Sequence, residues 1–536
     1  MTRRKAAPSA SWRQRILSAL RNEYFWLAII VLAGAFARLY RFGSVPPGLN
    51  QDEGSLAYDA FSLLRYGMER NGHTWPIMLE AYGSSMSGTL AAYLSMPFIA
   101  VGGLTVTAAR SLNAVLGIVT IGVFWAIGRE AWDRRTGLLA AFFMAINPWN
   151  IMASRWGLDC NLFPPLFSIG VLALLTLRNR PWGLSLTAGI FGLCLYSYGI
   201  ALVAVPLFLA IMFFVLVALG ERRWRRWLAA GACFAVVAAP MATYLVINER
   251  ELPTLHMGAI TVPNLSTTPR YREGSTVFSA EALHNALKNV RLFSGILWRQ
   301  SDGWIHNALP PYGILYSLGL PLALIGVGVT LWQGLYRRHL GALTLLAWLA
   351  AAGAVVAAVD PNINRVNIAF PPLILCCGLA VASCKVRWLR TAAIALFAVF
   401  FAGFVHAYFT SFPGRIAGSF HAGLPEASAA AAGLTTGKIC VTAVANMPEI
   451  SVLFGTQTPP EVFATTVEYV DPAAHYRQTA RFGRFTFDLG RCAAETGPFT
   501  FVAHASEVPA LIARGMRLRE RFGNFAVLTP PEASAP

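Results

Sequence analysis

Apolar runs of about 20 residues, each bounded by short basic clusters, recur along most of this chain, and that is the helical length needed to cross a hydrocarbon layer. The pattern predicts a first span from Tyr24 to about Ala37, then spans over 108–128, 137–153, 163–178, 183–199, 201–219, 227–247, 312–332, 341–358, 366–383 and 390–409. One further apolar stretch, 86–103 (MSGTLAAYLSMPFIAVGG), breaks the alternation, because letting it cross turns every later basic loop outward. It is expected to lie on or dip into the outer leaflet. The rival arrangement lets it span and demotes 137–153, which misplaces Arg129, Arg134 and Arg135. From about residue 412 the periodicity changes to short β-rich runs (KICVTAV, FTFVAHA, FAVLT) around a helical stretch near SEVPALIARG, which predicts a small α/β domain. The expected fold is therefore mainly α: a polytopic bundle of about eleven spans with interfacial helices over 1–411, and an extracytoplasmic α/β domain over 412–536.

Composition agrees, since 56% of the residues are hydrophobic and only 13% charged. The net charge of +17 could suit a nucleic acid, but it is concentrated in short loops such as Arg222/Arg223/Arg225/Arg226 and Arg337/Arg338. Basic loops of that kind orient membrane helices, so nucleic acid is excluded as a partner and membrane lipid takes its place. Arg3, Arg4, Lys5, Arg13, Arg15 and Arg21 precede the first span, and no small-residue cleavage site follows it. A multi-pass protein of the inner (plasma) membrane with a cytoplasmic N-terminus is expected. In the C-terminal domain Cys440 and Cys492 would pair in an oxidising compartment, although two cysteines buried in strands are an equally ordinary reading. The other six cysteines lie in or beside spans and read as packing, and no cluster has zinc-ligand spacing.

This topology brings three polar segments, 38–107, 149–162 and 248–311, to one outer face, and long ordered loops over a scaffold are where function concentrates. In the first, GLNQDEGS leads into the amphipathic LAYDAFSLLRYG, which sets Asp52 and Glu53 near a helix N-terminus. The pair is either a helix cap with its first-turn acid, or a set of reacting carboxylates kept ionised by the helix dipole. In the second, NPWNIMASRWGLDCNLFPP, Arg155 and Asp159 are four apart and on a helix would share a face, as an ion pair or as part of a site. Between two spans, DPNINRVN holds Arg365 among Asn362, Asn364 and Asn367. That set suits a phosphate oxygen, because a guanidinium donates two parallel hydrogen bonds; an arginine snorkelling to headgroups is the plain alternative. The loop 248–311 adds His256, Arg270, Arg272, His284 and His306, and its LWRQSDGW stretch mixes aromatic faces with polar groups as a sugar site does.

The order of these segments resembles the GT-C superfamily of membrane glycosyltransferases, most closely the branch of protein O-mannosyltransferases and lipid A aminoarabinose transferases (glycosyltransferase family 39-like). The resemblance covers about residues 24–410. It rests on the acidic motif Gln51-Asp52-Glu53, a semi-buried apolar segment, the span ARSLNAVLGIVTIGVFWAIGREAWDRRTGLLAAFF, and then NPWNIMASRWGLDCN. It implies transfer of a sugar from a polyprenyl phosphate to a glycan, lipid or protein acceptor on the outer side of the membrane. Asp52 then corresponds to the general base, Glu53 to its acidic neighbour and Asp159 to an outer-face aspartate following the third span. Related transferases often place Lys-Pro ahead of the semi-buried segment, where this chain has Glu80-Ala81-Tyr82-Gly83-Ser84-Ser85-Met86. The phosphate contact is therefore assigned to Arg365 or Arg155, with Asn364, Tyr82, Glu80 and His73 as further donor- or acceptor-binding candidates. No cofactor is required; a divalent cation, if used, would sit on Asp52 and Glu53. A transporter of lipid-linked sugars is the main rival. It would show inverted repeats or paired broken spans, which the two halves of the chain lack.

Overall fold

A computed structural model describes residues 22–265, 280–474 and 476–531. The basic residues before Asn22, together with Arg270 and Arg272, lie outside them. The helices are α1 (Glu23–Leu39), α2 (Gln51–Tyr66), α3 (Thr89–Gly102), α4 (Val106–Ala131), α5 (Arg134–Ile146), α6 (Pro148–Ser154), α7 (Phe163–Leu177) and α8 (Gly183–Cys194). They continue with α9 (Ala201–Ala218), α10 (Trp224–Glu249), α11 (Ala282–Arg299), α12 (Gly319–Leu335), α13 (Leu340–Ala358), α14 (Phe370–Ser383) and α15 (Arg387–Thr410). The chain is thus a multi-pass membrane protein, mainly helical. Among the described residues six helices are long and apolar enough to cross a membrane, or seven if the bent pair α5–α6 counts as one.

The expected span positions are helical, but several are short: α1, α8 and α12 run for 17, 12 and 17 residues, and α7 and α14 for 15 and 14 unless the 3₁₀ turns before them are included. α3 has 14 residues, about 21 Å of helix against a layer of about 30 Å, which suits a segment that does not cross. The stretch 137–153 is not continuous. Pro148 lacks the N–H that would extend α5, so the chain turns by 60° at Asn147, whose Oδ1 caps α6 by accepting the Asn150 N–H at 2.9 Å. The carbonyls stranded at the end of α5 are met by Arg38, which donates to Met144 and Ala145 and also to Asn150 Oδ1.

After α15 come α16 (Phe412–Ile416), α17 (Leu424–Leu434), α18 (Pro448–Thr456) and a seven-stranded sheet in the order β10-β11-β9-β5-β8-β7-β6. Its strands are β5 (Lys438–Val441), β6 (Glu468–Tyr469), β7 (Thr479–Phe482), β8 (Phe485–Phe487), β9 (Phe499–His504), β10 (Arg517–Phe522) and β11 (Phe525–Thr529). β5 runs parallel to both its neighbours, and a disulfide joins its Cys440 to Cys492. Two small hairpins, β1–β2 (Leu79–Ala81, Ser84–Ser87) and β3–β4 (Leu255–Met257, Ile260–Val262), belong to the loops of the first half.

Residue 412 marks a change of composition, while the apolar core runs across it. Leu56, Tyr58, Ala91, Ile99 and Leu112 pack in one cluster with Ile439, Ile450, Phe454, Phe463 and Phe482. Each such side chain contributes roughly 1.5–3 kcal/mol on burial, so the C-terminal sheet and the first loop stabilise one another. α18 approaches α2 so closely that a Cβ on Gly54 would stand 3.0 Å from Ile450.

Candidate active site

The N-terminus of α2 separates the two acids of the Asp52-Glu53 pair. Asn50 is the cap: its Oδ1 accepts the Asp52 N–H at 3.0 Å, and Glu53 Oε1 accepts the Asn50 N–H at 3.1 Å. One residue on from the cap-bonded position, Glu53 points inward and is 1% exposed. Arg110 of α4 grips it with Nη2 at 2.6 Å from Oε1 and Nε at 3.0 Å from Oε2, and Oε2 also accepts the Gly157 N–H at 2.9 Å. Arg110 completes its bonds on the carbonyls of Pro46 and Gly48. Glu53 therefore serves as a strut, not as a group open to substrate or to a cation shared with Asp52. Asp52 faces the other way, exposed to a cavity of about 770 Å³.

Asp159 and Arg365 open onto the same cavity, with Asn364 and Tyr82. Asp159 begins a 3₁₀ turn (Asp159–Leu162); its Oδ1 accepts the Cys160 N–H at 2.7 Å and its Oδ2 the Gly88 N–H at 2.8 Å. Gly88 fits between Asp159 and Ser197, where a Cβ would come within 2.4 Å of the Ser197 carbonyl oxygen. Arg365 is half-buried and stands in a long ion pair of 3.8 Å with Asp360. Asn367 ties the Arg365 loop to the Asp159 turn by donating to the Cys160 carbonyl at 2.8 Å.

Arg155, Glu80 and His73 do not reach the cavity. α6 ends at Ser154, so Arg155 and Asp159 do not share a helix face and form no i, i+4 pair. Arg155 is fully buried and donates to the carbonyls of Ala37, Arg38, Arg41 and Val45, with Phe409 stacked 4.9 Å from its guanidinium. Ala37 and Arg38 lie in the last turn of α1, whose carbonyls lack intrahelical partners, and Arg41 and Val45 in the turn that follows. Glu80 lies 3.6 Å from Arg477, and His73 bonds Glu69 at 2.8 Å.

The LWRQSDGW stretch and His306, offered by the sequence as aromatic and polar groups suited to a sugar, line the same cavity through Asp302, Gly303, Trp304 and His306. Asp302 accepts from Asn307 Nδ2 at 2.7 Å and from the Ile363 N–H at 3.0 Å, binding the SDGW loop to the Arg365 loop. Trp156, Trp304, His306 and Tyr198 supply aromatic surface, with His306 edge-on to both tryptophans at 5.1 and 5.0 Å. Ser419, His421, Asn446, Met447 and Tyr476 form a wall contributed from beyond residue 412, which no local pattern could disclose. Burial pushes the His421 imidazole down to about 4 and lowers that of His306, against which nearby Asp302 pulls, so both rings are neutral at pH 7. Among the described residues no group of three or more His, Cys, Asp or Glu side chains is placed to hold a metal ion. The arrangement offers carboxylates, one guanidinium, amides and flat apolar faces around a void large enough for a sugar and its linkage.

No protein-family model and no curated protein matches the chain. Among solved structures, ArnT from Cupriavidus metallidurans bound to undecaprenyl phosphate is similar over 96% of this chain and 98% of that one, with a TM-score of 0.57 and 14% identity. The oligosaccharyltransferase AglB from Archaeoglobus fulgidus, in complex with an inhibitory peptide and a dolichol-phosphate, is similar over 83% of this chain and 64% of that one, with a TM-score of 0.52 and 14% identity. The oligosaccharyltransferase of the same organism in complex with Zn and sulfate has a TM-score of 0.53 at 14% identity, over 80% of this chain and 61% of that one. The chain thus shares its fold with ArnT and with the AglB oligosaccharyltransferase.

Proposed function

We propose that the protein transfers a sugar from a polyprenyl-phosphate donor to an acceptor on the outer face of the membrane, with inversion at the anomeric carbon. The observation that carries this reading is the meeting of Asp52, Asp159 and Arg365, from segments more than 100 residues apart in the chain, on one aromatic-lined cavity. The fold supports it, since similar folds hold undecaprenyl phosphate and dolichol-phosphate in ArnT and AglB. The Cys440–Cys492 disulfide supports an extracytoplasmic position for the C-terminal domain.

In this scheme Asp52 accepts the proton of the acceptor hydroxyl or amine as that group attacks the anomeric carbon, and the polyprenyl phosphate departs from the opposite side. The first-turn position favours the ionised carboxylate a base needs. A phosphate leaves without prior protonation, so stabilising its oxygens is sufficient help. Arg365 with Asn362 and Asn364 is the set fitted to do so, whereas the guanidinium of Arg155 is spent on buried carbonyls. Asp159, fixed by the Gly88 N–H, orients the acceptor.

Purified protein incubated with radiolabelled polyprenyl-phosphate sugar and crude envelope acceptors tests the scheme. Label should leave the lipid, Asp52→Asn should cut turnover at least about 100-fold, and Arg365→Ala should raise the donor KM. Label that stays on the lipid points to a binding or transport protein. Full turnover by Asp52→Asn removes this residue as the base.

A further inference from the structure

The C-terminal domain does more than wall the cavity. Tyr82 and Gly83 are the two-residue tip of the β1–β2 hairpin, with φ of 52° and 84°, the positive values that a hairpin turn of this length requires. Two contacts on opposite sides hold this tip. From the C-terminal domain, the Arg477 N–H donates to the Tyr82 carbonyl at 2.8 Å, and the Arg477 side chain lies flat on Gly83, where a Cβ would stand 2.6 Å from its Cγ. The Arg477 guanidinium is then 3.6 Å from Glu80, one strand residue back. From the first loop, Arg70 lies 5.5 Å from the Tyr82 ring and is fixed by Asp59 at 2.8 Å, by the Glu80 carbonyl at 2.8 Å and by Ser55 Oγ. The hairpin tip is clamped between them, and what it carries forward is the Tyr82 hydroxyl, which donates at 2.8 Å to the carbonyl of Gln51. Gln51 is the first residue of α2 and the one before Asp52.

We infer that Tyr82 and Arg477 are positioning residues: the C-terminal domain presses the hairpin tip onto the first turn of α2 and thereby fixes Asp52 at the cavity mouth. That Asp52 is the group so placed for catalysis rests on the proposed function; the clamp itself rests on the contacts above. Arg477 does not line the cavity and the Tyr82 hydroxyl is turned to the Gln51 carbonyl, so an orientation error of this kind acts on the chemical step more than on binding. Tyr82→Phe removes one hydroxyl and leaves the ring over Arg70. Arg477→Ala removes the packing on Gly83 and the pair with Glu80, while Arg477→Lys restores a charge toward Glu80.

The full-length protein is compared by hydrogen–deuterium exchange over residues 50–60 and by transfer kinetics. Tyr82→Phe and Arg477→Ala should each speed exchange in the first turn of α2 and lower kcat about ten- to a hundredfold with donor and acceptor KM unchanged, and Arg477→Lys should recover part of both. Unchanged exchange overturns the clamp whatever the kinetics show. Faster exchange with unchanged kcat overturns the positioning role. Asp52→Asn, assayed alongside, separates the two claims: full turnover there, together with faster exchange in the clamp variants, sinks the base and with it the catalytic purpose of a clamp that still exists.

Discussion

Glu53 accepts the backbone N–H of Gly157 at 2.9 Å, so a carboxylate from the first turn of α2 holds the turn that precedes Asp159. With Arg110 donating to both of its oxygens, it sets the spacing between the two chain segments whose aspartates face the cavity. Both members of this ion pair are shielded from solvent, and removing one leaves the other charged and unmatched. Glu53→Gln or Arg110→Ala should therefore cost about 3–5 kcal/mol, read as a steep fall in the thermal midpoint and in the yield of folded protein. Asp52→Asn, exposed and outside this network, should cost under about 1 kcal/mol.

Gly88→Ala should act on the site more than on the fold. The added methyl would meet the Ser197 carbonyl at 2.4 Å and Asp159 Cβ at 2.7 Å, so the Gly88–Asp159 hydrogen bond has to give way. Transfer by this variant should fall at least about tenfold with the thermal midpoint lowered by only a few degrees. An unchanged rate would show that Asp159 does not need this anchor.

The disulfide closes a loop of 52 residues within a domain whose core is shared with α2 and α3. By the entropy of loop closure, its loss should cost about 4 kcal/mol. Reduction, or Cys440→Ser, should accordingly lower the unfolding temperature of the whole assembly and raise proteolysis around residues 412–531.

Two buried groups pull the stability in opposite directions over one pH window. Burial pushes the Glu449 carboxyl up to about 7, against its own backbone hydrogen bond and Arg70, whereas an unfolded glutamate titrates near 4.3. Between those values the unfolded chain is ionised and the folded chain retains the proton, so stability falls as pH rises. His421 works in the opposite direction. Its imidazole titrates at about 4 when folded and about 6.5 when unfolded, so stability is lost as pH falls through that window. The two windows overlap and their slopes are opposite, so thermal scans of the unaltered protein should be nearly flat between about pH 4.3 and 6.5. Glu449→Gln should uncover a loss of stability toward acid, and His421→Asn a loss as pH rises toward 7.

Much of this was legible in the sequence because bilayer crossing is a local demand, and the apolar runs located the helices. The acid pair marked a helix N-terminus, but the cap of α2 is Asn50 with Glu53, not Asp52. Asp52, Asp159, Asn364, Tyr82 and Arg365 were picked from residue type and loop position, and the fold brings them to one void. The roles of Glu53 and Arg155 were not legible. A buried charge is placed by partners far along the chain, here Arg110 and Gly157 for the one and the carbonyls at the end of α1 for the other. Span lengths were overestimated for the same reason: hydropathy continues through 183–199 and 312–332, but a turn after Cys194 and the loop before Gly319 are set by packing. His421 and Asn446 carry no pattern of their own that assigns them to a site made by the first loop.

The Leu49 N–H donates to the Phe420 carbonyl at 2.6 Å, and Tyr58 closes on the Thr458 carbonyl, joining segments that stand on either side of all the helices from α3 to α15. During synthesis the acidic first loop must therefore wait, its apolar side uncovered, until the segment 400 residues further on has been made. The cavity closes only after those helices are in place, so a chain interrupted among them leaves a lipid-facing scaffold with no enclosed chamber above it.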